Sequence, residues 1–104
     1  MAESVIKNPH IGWVELYNIN TDSATVLVDT TKYNEFLIKT GDFANGQYIE
    51  YYVNKSTTTF TNNYELPCPV ANSGNVSINK FTFTDSSIKF VGASSVQRAT
   101  IYAK

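Results

Sequence analysis

With 104 residues, the chain is sized for one domain. A net charge of -1, from 8 basic and 9 acidic residues, gives no basic face for nucleic acid and no polybasic run for an anionic membrane. Cys68 is the single cysteine, so an intrachain disulfide is excluded. The N-terminal "MAESVIKNPH" has neither the apolar stretch of a signal peptide nor that of a membrane span, and reads as an arm over residues 1–10. One domain is expected over 11–104. Its apolar runs are short, β-branched or aromatic, and separated by turn clusters, with no sustained helical period. "IGWVELYN" (11–18) and "SATVLVD" (23–29) read as the first two strands, and "TTKYN" (30–34) as a polar corner of about one helical turn. "EFLIKTG" (35–41) and "QYIEYYVNK" (47–55) follow, with Asn45-Gly46 between them as a hairpin signal.

The Thr-rich "STTTFTNN" (56–63) fits an edge strand or a loop. "YELPCPVANSGN" (64–75) reads as a long irregular connection, because Pro67 and Pro69 lack the amides a central strand needs. Within it, Cys68 is expected to be half-buried. In "VSINKFTFTD" (76–85) the apolar residues change parity, from Val76 and Ile78 to Phe81 and Phe83, which predicts a bulge or a bend at Asn79-Lys80. "SSIKFVG" (86–92) and "SVQRATIYAK" (95–104) complete the series, and a similar parity change from Val96 to Ala99 and Ile101 suggests a second bulge. The last strand should be integrated in the sheet, next to the strand at Trp13. The sum is an all-β fold: an antiparallel, jelly-roll-like β-sandwich of about seven or eight strands.

No catalytic motif is present. His10 is the single histidine and lies in "NPHIG" before the first strand. A zinc site needs several ligands, and a Ser-His-Asp relay needs a histidine held in a pocket. There is no GxSxG, P-loop or GxGxxG. Glu15, Glu35 and Glu50 fall in predicted strands and could meet as a carboxylate pair, but a sandwich with nine acids gives such coincidences. No enzyme activity, metal or other cofactor is expected.

The face of strand 47–55 that carries Tyr48, Glu50, Tyr52 and Asn54 is too aromatic for an ordinary wet face, whereas Ile49, Tyr51 and Val53 read as core. Three fates are open for Tyr48 and Tyr52. They pack under a second layer or a crossing segment such as 64–75, they lie between subunits, or they form a ligand platform with Trp13, Glu50 and Asn54.

Three features together resemble the C-terminal head or tip domains of phage and prophage tail-fibre proteins. They are the early "GWVELYN", the "ATVLVDTTKYNEFLIKTG" run (24–41), and the terminal "ATIYAK". The likeness covers most of the chain in layout, and residues 13–38 and 99–102 in motif. It implies a non-enzymatic virion protein, made in the host cytoplasm, that oligomerises (often as a trimer) and contacts a host-surface glycan or protein. The low charge, 16% of residues, together with about 30 per cent Asn, Ser and Thr, suits a viral surface sheet. A capsid decoration protein that binds other virion subunits, and a carbohydrate-binding module of non-viral origin, are the alternatives.

Overall fold

The computed structural model describes residues 12–55, 63–72 and 75–104. Among them, eight strands form two antiparallel four-stranded sheets: β1 (Val14–Ile19), β2 (Ser23–Leu27), β3 (Glu35–Asp42), β4 (Gln47–Asn54), β5 (Tyr64–Asn72), β6 (Asn75–Phe83), β7 (Ser87–Val91) and β8 (Gln97–Ala103). The first sheet has the order β1-β8-β3-β4 and the second β2-β7-β6-β5. The expected β-sandwich is the observed fold. The β1–β8 and β2–β7 pairs close around two local hairpins, β3–β4 and β5–β6, each of which stays within one sheet. The polar corner is a 3-10 turn, Thr30–Lys32, capped by Asp29, whose carboxylate accepts hydrogen bonds from the amide and hydroxyl of Thr31. Those bonds, the hydroxyl's first, hold the Asp29 carboxyl below its ordinary value.

The core lies between the sheets. Phe36, Ile38 and Ile101 of the first face Phe81, Phe83, Ile88 and Phe90 of the second, all fully buried. The Phe36 and Phe83 ring centroids are 5.4 Å apart, and those of Phe81 and Phe90 are 5.0 Å apart in a stacked pair. Alternation supplies this layer, since β3 and β8 each present every second side chain inward. As expected, β8 lies beside β1, and it is central in its sheet, paired on both sides.

Several expectations are corrected. Residues 64–72 are a regular strand, β5, with nine rungs to β6. Its prolines are tolerated because β5 is an edge, where alternate backbone groups point away from the ladder. Pro69 shows this directly, since its carbonyl accepts a hydrogen bond from the Tyr51 hydroxyl of the other sheet. Cys68 is fully buried, and burial pushes its thiol up to about 12.

The two parity changes are not bulges. The β5–β6 and β3–β8 ladders run in unbroken register. Asn79 and Gln97 instead occupy core positions, fully buried, while Val76 and Ile78 face outward. Asn79 Nδ2 donates to Thr40 Oγ1 at 3.0 Å and to Gln97 Oε1 at 2.8 Å, and Asn79 Oδ1 accepts from the Ala93 amide at 3.0 Å. The Thr40 hydroxyl donates to the Arg98 carbonyl at 2.8 Å. Gln97 Nε2 is buried with no partner among the described residues. The register shift that does occur is in β1, between Glu15 and Tyr17.

The β3–β4 link is a four-residue loop, 43–46, and not a two-residue turn. Buried Asp42 organises it by accepting from the Ala44 amide at 2.9 Å, the Asn45 amide at 3.2 Å and Asn45 Nδ2 at 2.8 Å. Gly46 takes a left-handed conformation (φ 65°). At Gly41 the two strands approach so closely that an added Cβ would lie 1.9 Å from the Gln47 carbonyl oxygen. The Thr-rich stretch at 56–62 and His10 lie outside the described residues.

Candidate binding face

β4 is the outer strand of the first sheet, and alternation divides its second half as expected, whereas Ile49, read as core, is exposed near the strand's start. Val53 is buried and Tyr51 half-buried on the inner side. Tyr48, Glu50, Tyr52 and Asn54 lie on the outer side. The second sheet is behind the first and leaves this side uncovered, and segment 64–72 belongs to that second sheet. Tyr52 is 53% exposed and Tyr48 40%.

Cross-strand register determines what surrounds these residues. One rung of the outer face reads Glu15, Tyr102, Leu37, Tyr52 across the four strands, and the next reads Asn18, Thr100, Lys39, Glu50. Glu35 and Asn54 are opposite each other on β3 and β4, and the backbone of Lys104 bonds to that of Glu35 in both directions. Trp13, just before β1, lies with its ring edge-on to Tyr52, at 6.3 Å between centroids and 88° between planes.

Polar groups hold the rings in place. The Tyr52 hydroxyl donates to Glu35 Oε1 at 2.7 Å and accepts from Asn54 Nδ2 at 3.1 Å. The bond to Glu35 is the main reason the Tyr52 phenol ionises above its ordinary range. Lys104 Nζ lies 5.1 Å from the centre of the Trp13 ring, and Lys39 Nζ lies 5.2 Å from that of Tyr48. Burial, followed by the charges of Glu15 and Glu50, raises the Tyr102 phenol. The Thr100 hydroxyl donates to Asn18 Oδ1 at 3.2 Å.

All five sequence candidates, Trp13, Tyr48, Glu50, Tyr52 and Asn54, therefore share one face. Trp13, Tyr52 and Asn54 are in direct contact, and Tyr48 lies a few rungs along. Sequence reasoning missed Glu35, Leu37, Lys39, Tyr102 and Lys104. The signal that finds them is the β3–β8 pairing, which aligns Leu37 with Tyr102.

The arrangement offers aromatic edges and faces, fixed hydroxyl and amide groups, and carboxylates on a sheet with little freedom. That chemistry suits recognition by stacking and hydrogen bonding. Among the described residues no three of His, Cys, Asp and Glu come together as a metal set, and no helix is long and apolar enough to cross a membrane. No protein-family model, curated protein or solved structure matches the chain.

Proposed function

We propose that this chain is a non-enzymatic adhesion domain of a virion, similar in layout to a tail-fibre tip, that oligomerises and contacts a host-surface glycan or protein. The observation that carries this reading is the exposed aromatic face of the first sheet. Trp13, Tyr48 and Tyr52 contribute little to the inter-sheet core, yet Glu35, Asn54, Lys39 and Lys104 hold them in defined positions. Pre-organised rings lose little freedom when a partner stacks on them, which favours binding. Glu50 and Asn54 beside the rings give the mixed polar surroundings of a recognition surface.

The experiment is a glycan-array and cell-binding comparison of the wild type with Trp13→Ala, Tyr52→Ala and Tyr52→Phe. The alanine variants should stay folded and lose binding, and Tyr52→Phe should keep most of it, because the ring remains. A folded Trp13→Ala/Tyr52→Ala double variant with undiminished binding would sink this reading.

A decoration protein that binds other virion subunits is the second reading. It draws on the apolar surface of the other sheet, whose outward Val76 and Ile78 are 69% and 52% exposed.

A further inference from the structure

The outer face of the second sheet is built differently from the aromatic face. On it, Ala71 pairs with Val76, Pro69 with Ile78, and Pro67 with Lys80, which in turn pairs with Val91. Six apolar side chains therefore adjoin one another, and all six are exposed. β6 is bonded to β7 only over Lys80–Phe83, so the half of the β5–β6 hairpin that carries Ile78 and Val76 projects past β7. Soluble monomers rarely expose a contiguous patch of this kind without a partner. Pro67 and Pro69 cannot donate along the edge of β5, so a partner meets this face and not its rim.

The charges around the patch indicate which partner. Glu65 and Lys89 are both in register with Thr82, one on each side of β6. Rotating a second copy by 180° about an axis parallel to β6, between the two faces, lays its β7 over β5 at the same level. Glu65 then faces the partner's Lys89, and Lys89 faces the partner's Glu65. Pro67 meets the partner's Val91, Ile78 meets the partner's Ile78, and Val76 meets the partner's Val76. The face is thus complementary to itself along β6 and at the Glu65 and Pro67 levels, as an isologous contact requires, while Pro69 and Ala71 lie beyond the end of the partner's β7. Lys80 is the charged residue that meets its own kind, and its long stem lets the ammonium move aside at some cost.

We propose that this face is the contact through which two copies of the chain pair, about a two-fold axis along β6. The proposal rests on the preceding reading only for the fact of assembly. It puts a two-fold in place of the three-fold that the resemblance implies, and leaves the aromatic face of each copy pointing outward. The overlap is three strands wide, and three strands at ~4.8 Å by nine residues at ~3.3 Å give a face on the order of 400 Å². That is at the small end of specific interfaces, so the dimer is reversible and concentration-dependent.

Sedimentation equilibrium of the full chain tests the contact. The wild type should pass from monomer to dimer within the range up to a few hundred micromolar expected of a small interface. Ile78→Glu, at an exposed site, should remain folded by circular dichroism and stay monomeric. Lys89→Glu should weaken the dimer about tenfold or more, and Glu65→Lys/Lys89→Glu should recover most of the loss, because the swap restores both opposite-charge contacts. Lys80→Gln should tighten the dimer. A wild type that is monomeric throughout, an Ile78→Glu chain that still pairs, or a charge swap no better than Lys89→Glu overturns the proposal. Monomeric wild type that floats with phosphatidylcholine vesicles, and does so only with Ile78 intact, gives the face to lipid and also overturns it. Adhesion through Trp13 and Tyr52 is read separately on the monomeric variants, so either conclusion can fail without the other.

Discussion

Asn79 is the residue whose replacement tests the fold most sharply. Its amide is the hub between β3, β6, β8 and the segment after β7. In Asn79→Leu the new side chain is close in size and apolar, so little volume changes. Two groups lose their partner, the fully buried Gln97 Oε1 and the Ala93 amide, whose bond is only part-buried, while the Thr40 hydroxyl keeps its bond to the Arg98 carbonyl. Each stranded group costs about 1–3 kcal/mol. The added apolar surface returns roughly 1 kcal/mol. The net loss is then about 1–5 kcal/mol, or a Tm fall of roughly 4–8 °C for each kcal/mol lost in a domain of this size. Urea melts and calorimetry give the magnitude, and amide exchange at Ala93 shows whether the local bond has gone. Ile78→Ser, one residue away but facing out, should cost far less. Adding Gln97→Leu removes one stranded group together with the unpartnered Nε2, so the double variant should be more stable than the two single costs predict, by about 1–2 kcal/mol. If Asn79→Leu is as stable as the wild type, with Ala93 still protected, the hydrogen-bond cluster contributes nothing net and this reasoning is refuted.

Removing residues 101–104 should abolish folding. β8 is bonded on both sides, and the loss of buried Ile101 alone costs about 2–5 kcal/mol; a truncated chain that melts like the wild type contradicts the pairing. The phenols of Tyr51, Tyr52 and Tyr102 are all raised above the ordinary value of 10.0. The folded state therefore holds these protons more tightly than the unfolded state. The associated stability is full below pH 10.0 and is lost as the pH rises above it, which a Tm–pH series should show and which Tyr52→Phe should lessen. Cys68, buried and with its thiol near 12, should stay unreactive toward a disulfide reagent in the native state and react once the protein unfolds in urea; prompt labelling of the native chain contradicts this.

Much of the sandwich could be read from alternation, because β2, β7 and most of β3 keep a period of two, whereas the start of β4 does not, since Ile49 is exposed. Misreadings arose where one residue type served two ends. Proline argues against a central strand, and 64–72 is an edge strand, a distinction that depends on which strand lies beside it. Asn79 and Gln97 look like outward residues, so their neighbours appeared to change faces. Only the approach of Thr40 and the Ala93 amide from distant parts of the chain makes those positions suitable for an amide. The binding face was half legible for a similar reason. Tyr48, Glu50, Tyr52 and Asn54 share a face within one strand, whereas Glu35, Lys39, Tyr102 and Lys104 join them through pairing registers that no local pattern encodes.

The β1–β8 pairing also decides how the domain responds to load. Its outermost rung joins Val14 to Ala103, so the first and last strands end at the same edge of the sheet. A pull that separates these two ends runs across the ladder and breaks its hydrogen bonds one rung at a time, like a zip. A pull applied at Tyr52 and resisted at Val14 also runs across the strands at this same end, so it loads the β4–β3, β3–β8 and β8–β1 ladders in series and opens the weakest of them from that end. The first sheet is therefore weak to a force across its strands at this end, and resists best a force directed along them, which shears a whole ladder at once.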